Sequence, residues 1–173
     1  MKNFIYIVFI IILFSASCGN KDEYPDIPAI EFKRVELRDS IGKIEETPYT
    51  VKLCRVVFSV TDGDGNIGFM LNEDTSSYNF FADIYEKKNG ELKKLELSAP
   101  YNYRIPYIEP AGQNKLLKAQ IMVDFTFNYY NQALLFDSIM YEFYINDRAG
   151  NLSNKVRTPI FSLKDEGIVY ETN

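Results

Sequence analysis

Residues 117–127 read LKAQIMVDFTF, and their alternation decides the fold. Leu117, Ala119, Ile121, Val123, Phe125 and Phe127 fall at every second position, with Lys118, Gln120, Asp124 and Thr126 between them. Successive side chains of a strand point to opposite faces, so this run sets one apolar face on a core and one polar face in water. The same period recurs elsewhere. Ile139, Tyr141, Phe143 and Ile145 share a face in IMYEFYI, and Cys54, Val56, Phe58 and Val60 share one in CRVVFSV. No stretch carries a helical period over three turns.

Turn residues separate the runs. Asn89-Gly90 predicts a type I′ hairpin joining 80–86 to 91–97, because both central positions of that turn need positive φ. Asp62-Gly63-Asp64-Gly65-Asn66 closes one apolar run, and Ala149-Gly150-Asn151 turns the chain between 140–146 and 152–163. Pro159 cannot donate a ladder hydrogen bond, which marks the last run as an edge strand. Seven antiparallel strands are expected, at 29–38, 50–61, 80–87, 91–97, 116–127, 138–146 and 152–163. Short two-faced strands with frequent turns predict an all-β fold, an immunoglobulin-like β-sandwich over residues 29–173. A closed β-barrel is the alternative.

The first residues follow a different rule. Lys2 precedes the uncharged run FIYIVFIIILF (4–14), then come Ser15-Ala16-Ser17 and Cys18. This is the layout of a secretory signal peptide over residues 1–17. Its apolar core is shorter than the ~20 residues that span a bilayer. The cysteine directly after the small residues resembles a bacterial lipoprotein signal, although Ser15 stands where that signal usually has leucine. The resemblance implies lipidation at Cys18, with residues 18–28 as a tether stiffened by Pro25 and Pro28. An ordinary signal peptide followed by an unrelated cysteine is the alternative.

Lys21-Asp22-Glu23 resembles the export signal of Bacteroidota surface lipoproteins. VVFSVTDGDGNIGF (56–69) and YEFYINDRAGNLSNKV (141–156) are similar to phrases in small Bacteroidota outer-membrane lipoproteins with immunoglobulin-like domains. The resemblance implies a fold and an outer-membrane, cell-surface location rather than an activity. A periplasm-facing anchor, with the charged residues as a plain solvated tether, is the alternative.

Composition narrows the function. Removing residues 1–17 from the 173-residue chain takes away only one basic residue, Lys2, and leaves 18 basic against 24 acidic side chains. An acidic chain without a basic run does not suit nucleic acid, whose phosphates select Lys and Arg clusters. It does not suit docking on anionic lipid by charge either, so membrane contact is assigned to the lipid. The chain has no histidine and no tryptophan. It thus lacks the commonest general base and metal ligand, and no nucleophile or phosphate-loop motif replaces them. A non-catalytic role is expected. Cys54 has no partner if Cys18 carries lipid, and it reads as a small buried apolar residue.

One motif carries metal chemistry. Asp62, Asp64 and Asn66 alternate in a glycine-rich loop, as oxygen ligands for Ca²⁺ do. Their spacing fits the start of an EF-hand loop, with Glu73 at the twelfth place. But Ile67 occupies the sixth place, where that loop needs glycine, and no helices flank it. A non-EF-hand Ca²⁺ site is the expectation that remains. In an immunoglobulin-like sandwich the loop after the second strand and the last hairpin share one end, which would bring Asp147, and with it Asn151, toward Asp62 and Asp64. A simple turn is the alternative, since Asp, Gly and Asn favour turns without metal.

Tyr101, Tyr103 and Tyr107 in PYNYRIPYIEP, with Tyr129-Tyr130, are candidates for ligand contact, because tyrosines on loops present rigid area with a polar tip. Packing of those loops onto the sandwich is the alternative. Asp39-Ser40-Ile41 and Asp137-Ser138-Ile139 resemble the short O-glycosylation acceptor of secreted Bacteroidota proteins. Together these features predict a lipid-anchored envelope module that binds a protein or glycan. A carbohydrate-binding accessory of a nutrient-uptake system and a purely structural envelope protein are the alternatives. Replacing Cys18 by Ala is expected to release the protein from the membrane fraction or hold it as precursor. Wild-type membrane fractionation of Cys18→Ala would remove the lipid anchor from the reading.

Overall fold

The alternating run that ends in the DGDGN turn becomes β2, and β2 lies inside a sheet rather than at its edge. The computed structural model describes residues 23–44, 46–97, 99–111, 115–128 and 138–172. The leader at 1–17, Cys18, Tyr129-Tyr130 and Asp137 lie outside the described residues. Nine strands are present among the described residues: β1 (Ala29–Ile44), β2 (Thr47–Asp62), β3 (Phe80–Lys88), β4 (Glu91–Lys94), β5 (Tyr101–Tyr103), β6 (Leu117–Asn128), β7 (Ile139–Ile145), β8 (Val156–Arg157) and β9 (Gly167–Glu171). There is no helix among them, and so none long and apolar enough to cross a membrane.

The strands form two antiparallel sheets and do not close into a barrel. One sheet has the order β6-β2-β1-β9, and the other has β4-β3-β7-β8, with β5 pairing beside β4 on the same edge of β3. Taking β1, β2, β3, β6, β7 and β8 as strands A, B, C, E, F and G, these are the A-B-E and C-F-G neighbours of an immunoglobulin sandwich. The expected alternation holds. Cys54, Val56, Phe58 and Val60 are fully buried, as are Phe125 and Phe127 on β6 and Tyr141, Phe143 and Ile145 on β7. These two inner faces make one core, and Phe125 stacks on Tyr141 across it at 4.3 Å between ring centroids.

The first strand departs from simple alternation, which explains why its faces are hard to read in sequence. Ile30 and Phe32 point inward, and so do Val35 and Leu37. A β-bulge between Phe32 and Arg34 inserts Lys33 without a partner on β2 and switches the inward set from even to odd numbers. The chain there also joins the sheets: Asn154 donates from Nδ2 to the Ile30 carbonyl at 2.9 Å and accepts the Ile30 N–H at 2.8 Å.

The Asn-Gly hairpin forms as expected. Asn89 has φ 53° and Gly90 φ 86°, and Lys88 pairs with Glu91 across the two-residue turn. The expected strand over 152–163 is not continuous. Only Val156 and Arg157 form a strand, with single bridges at Leu152 and Phe161 on either side. Side-chain hydroxyls fill the interrupted ladder: Ser153 Oγ accepts the Ile145 N–H and Thr158 Oγ1 accepts the Tyr141 N–H, both at 3.0 Å. Pro159, with no N–H, falls in the second interruption. The first two strands are longer than expected, and β5 and β9 were not expected at all.

Cys54 faces Tyr141 across the core. Antibody domains join strands B and F at such a place by a disulfide, whereas here a thiol meets a phenol. Burial pushes the Cys54 thiol far up from its ordinary pKa. Native protein should therefore react with a thiol dye at a rate at least a hundredfold below that in denaturant. Equal rates would mean that the β2 register is displaced by one residue, which turns Cys54 outward.

Candidate metal centre

The inward row of β2 runs Lys52, Cys54, Val56, Phe58, Val60, Asp62. It is apolar in the middle and charged at both ends. At one end Lys52 is buried and pairs with Asp39 of β1 at 2.7 Å. At the other end Asp62 is fully buried, and among the described residues no basic side chain meets it. Carboxylate oxygens of Asp62, Asp64 and Asp147 all lie within 4.8 Å of one another there. The expected convergence of the DGDGN loop with the β7–β8 hairpin is thus present.

Each carboxylate uses part of its capacity to shape its own loop. Asp62 Oδ2 accepts the Asn66 N–H at 2.9 Å, and Asp64 Oδ2 accepts from Asn66 Nδ2 at 2.6 Å. Asp147 accepts from Asn151 twice, at 2.7 Å from the N–H and 2.7 Å from Nδ2. Asp62 Oδ1 and Asp64 Oδ1 are left over, buried and without a donor. Asn66 also joins the two loops, since its carbonyl accepts the Arg148 N–H at 3.2 Å.

The glycines let three chain segments crowd this point. A Cβ on Gly65 would lie 2.1 Å from the Lys115 carbonyl oxygen, and Gly65 has φ +64°. A Cβ on Gly63 would lie 2.3 Å from the Tyr24 carbonyl oxygen, and the Gly63 N–H donates to Pro25 O at 2.8 Å. The segment before β1 is therefore seated on the acidic loop at Tyr24 and Pro25.

Like charges this close repel by about 3 kcal/mol per pair at an effective dielectric of ~20. Burial is the largest influence on Asp62 and pushes its pKa up to about 6. The Asn66 N–H acts the other way, and the Asp64 and Asp147 charges add to the rise. A divalent cation relieves all of this. Calcium binds oxygens at ~2.3–2.6 Å, so two of its ligands lie no more than about 5 Å apart, which the cluster satisfies.

Several residues that build this rim carry no sequence signal. Asn79 is buried, accepts the Ile105 N–H on Oδ1 at 2.6 Å, and its carbonyl accepts the Asn146 N–H at 3.1 Å. It fixes the end of β7, just before Asp147, to the segment after β5. Arg148 grips Glu73 with both terminal nitrogens and lies over the Tyr107 ring, 5.9 Å from its centroid. The Met70 N–H and then Arg148 hold the Glu73 carboxyl below its usual range. Glu73 therefore anchors the loop and is not a twelfth-position ligand.

The tyrosines separate. Tyr101 and Tyr103 are in β5, not on an open loop, and both rings meet Phe125 edge-on at 5.3 and 5.5 Å. Burial pushes Tyr103 up to about 12. Packing accounts for both. Tyr107 instead lines a cavity of about 370 Å³ beside the acidic cluster. Of the two short Asp-Ser-Ile stretches, the first lies on β1, with Asp39 paired to Lys52, and the second ends in the buried Ile139.

Comparison with protein-family models, with curated proteins and with solved structures finds no match for this chain.

Because the folded-state pKa of Asp62 is raised, its contribution to stability is complete below about 3.8 and is lost as pH rises through about 6. Asp62→Asn removes that loss and keeps an oxygen to accept the Asn66 N–H. In chelator at pH 7.5 the variant should unfold at higher urea than wild type, by at most about 3 kcal/mol. A less stable variant at that pH would show that the carboxylate serves the turn alone.

Proposed function

We propose that this protein is a non-catalytic binding module of the bacterial outer membrane, anchored by lipid at Cys18 at the cell surface, whose binding rim is organised by Ca²⁺. The observation that carries the reading is the pair of buried, donorless oxygens on Asp62 and Asp64, within a cluster that Asp147 completes. A turn alone does not explain them, because a buried polar atom without a partner costs about 1–3 kcal/mol. A cation gives both atoms a partner and joins the loop after β2 to the β7–β8 hairpin.

The rim's position supports a role close to the membrane. The tether reaches the fold at Tyr24 and Pro25, which pack on the acidic loop itself. Tyr24 lies six positions after Cys18, a span of about 20 Å at full extension. A lipid at Cys18 therefore keeps this rim, and not the opposite end of the sandwich, beside the anchoring surface. The lack of histidine and the burial of Cys54 support binding over catalysis.

Millimolar CaCl₂ is expected to raise the melting temperature of the purified protein relative to EGTA. The gain is about 2.7 kcal/mol when calcium stands a hundredfold above its Kd. Asp64→Ala should abolish the rise. Identical melting in calcium and chelator would exclude the calcium-organised rim.

A further inference from the structure

The edges of the two sheets are built unequally. Among the described residues β9 has five residues and a register shift against β1, β8 has two, β4 four and β5 three. Short or shifted edges make poor templates for another strand. β6 is an edge of a different kind. It has twelve residues, pairs with β2 from Leu117 to Asn128 without a register shift, and contains neither proline nor glycine. Among the described residues its backbone makes no hydrogen bond on the outer side. An immunoglobulin sheet carries strand D there, beside strand E. β6 holds the place of strand E, and no described strand holds that of D.

The outward face of β6 ends a row of alternating charge. Glu36 of β1 lies opposite Arg55 of β2, and Arg55 lies opposite Asp124 of β6. Arg55 grips Asp124 through Nε and Nη2, at 2.7 and 2.8 Å. The row runs minus, plus, minus and stops at the edge. Lys118, on the same face of β6, is exposed and has no ion pair among the described residues. A strand that sets a cation opposite Asp124 and a carboxylate opposite Lys118 continues this pattern.

A second β6 is such a strand. Placed antiparallel about a two-fold axis at Ile121, it sets Lys118 of each copy opposite Asp124 of the other, Gln120 opposite Met122, and Ala119 opposite Val123. Apolar inward residues then meet apolar ones, and Met122, 58% exposed, gains cover. Sliding one copy by two residues puts Lys118 opposite Met122 or Thr126 and leaves both charges unmatched. A slide of one turns inward residues against outward ones. Each copy uses its long edge, so the assembly closes at two.

The axis is perpendicular to the sheet, so both copies turn their outer faces the same way. Tyr24 borders that face with Ser59, Thr61, Lys118 and Gln120. Both tethers therefore leave on one side of the joined sheet, as two lipids in one membrane require.

We propose that β6 pairs antiparallel with β6 of a second copy of this chain, in the register that sets Lys118 opposite Asp124, and joins two four-stranded sheets into one. The contact needs no ion and stands apart from the calcium-organised rim.

The test is sedimentation equilibrium of the full-length protein in density-matched detergent, in CaCl₂ and in EGTA, with cross-linking under mild oxidation. A species of twice the monomer mass is expected in both buffers. Lys118→Glu sets like charges opposite each other twice and should weaken association at least tenfold with unchanged circular dichroism. Lys118→Arg should keep it. The double variant Gln120→Cys/Met122→Cys should form covalent dimers, and neither single variant should, because each cysteine faces the other position. Wild type, with Cys54 buried, is the control. A monomer throughout would overturn the self-pairing and leave the edge to a strand of another protein. A dimer indifferent to Lys118→Glu, or a single cysteine variant that cross-links as fast as the double, would overturn the register. A dimer lost in EGTA would move the contact to the rim and overturn the proposal.

Discussion

The contact of two aromatic faces holds this molecule together. Phe58 and Phe125 come from the β6-β2-β1-β9 sheet, and Phe80, Tyr141 and Phe143 come from the other. Phe58 lies 5.8 Å from Phe80 and 5.2 Å from Phe143, centroid to centroid. Each such ring buries roughly 150–250 Å², and buried pairs add about 0.5–1.5 kcal/mol beyond that area. Among the described residues no disulfide joins the sheets, because Cys54 is free and faces a tyrosine. The sandwich therefore depends on close packing, and its polar requirements are displaced to the two ends.

Those ends are treated differently. Lys52 reaches the carboxylate of Asp39, so a buried cation has its anion within 2.7 Å. Asp62 accepts the Asn66 N–H, but its charged neighbours among the described residues are carboxylates. Paired buried charge is a structural solution, and unpaired buried charge marks a place where a cation could be held. The asymmetry between two residues ten positions apart on one strand distinguishes the end whose buried charge is paired from the end that carries the acidic cluster.

The acidic end is built by cross-links among loops rather than by any one motif. Asn79 ties the end of β7 to Ile105, and Arg148 ties the last hairpin to Glu73. Gly63 and Gly65 bring the Tyr24-Pro25 backbone and the Lys115 backbone against the DGDGN turn. Removing water from the carboxylates is the consequence, and it makes a cation worth binding. The same crowding leaves a cavity with Tyr107 on its wall, next to the one carboxylate of the three that solvent reaches.

Period-two alternation needs only local chemistry, so the sequence by itself determined β2, β6 and β7, their inward faces, and a two-sheet fold. The Asn89-Gly90 turn was equally local, because positive φ is a property of single residues. The convergence of Asp62, Asp64 and Asp147 was legible because topology puts the two loops at one end once the fold is known, whereas Asn66 meets Asp62 and Asp64 as a hydrogen-bond donor. What alternation cannot show is where it breaks. The bulge at Lys33, the interrupted ladder at Ser153 and Thr158, and the strands β5 and β9 follow from pairing with distant segments. Tyr101 and Tyr103 look the same as Tyr107 in sequence, and only packing against Phe125 separates core from rim. The pairing of Arg148 with Glu73, 75 positions apart, and the two donorless oxygens belong wholly to the tertiary structure. A carboxylate's solvation and its neighbours are set by what folds around it, and no property of the residue itself records them.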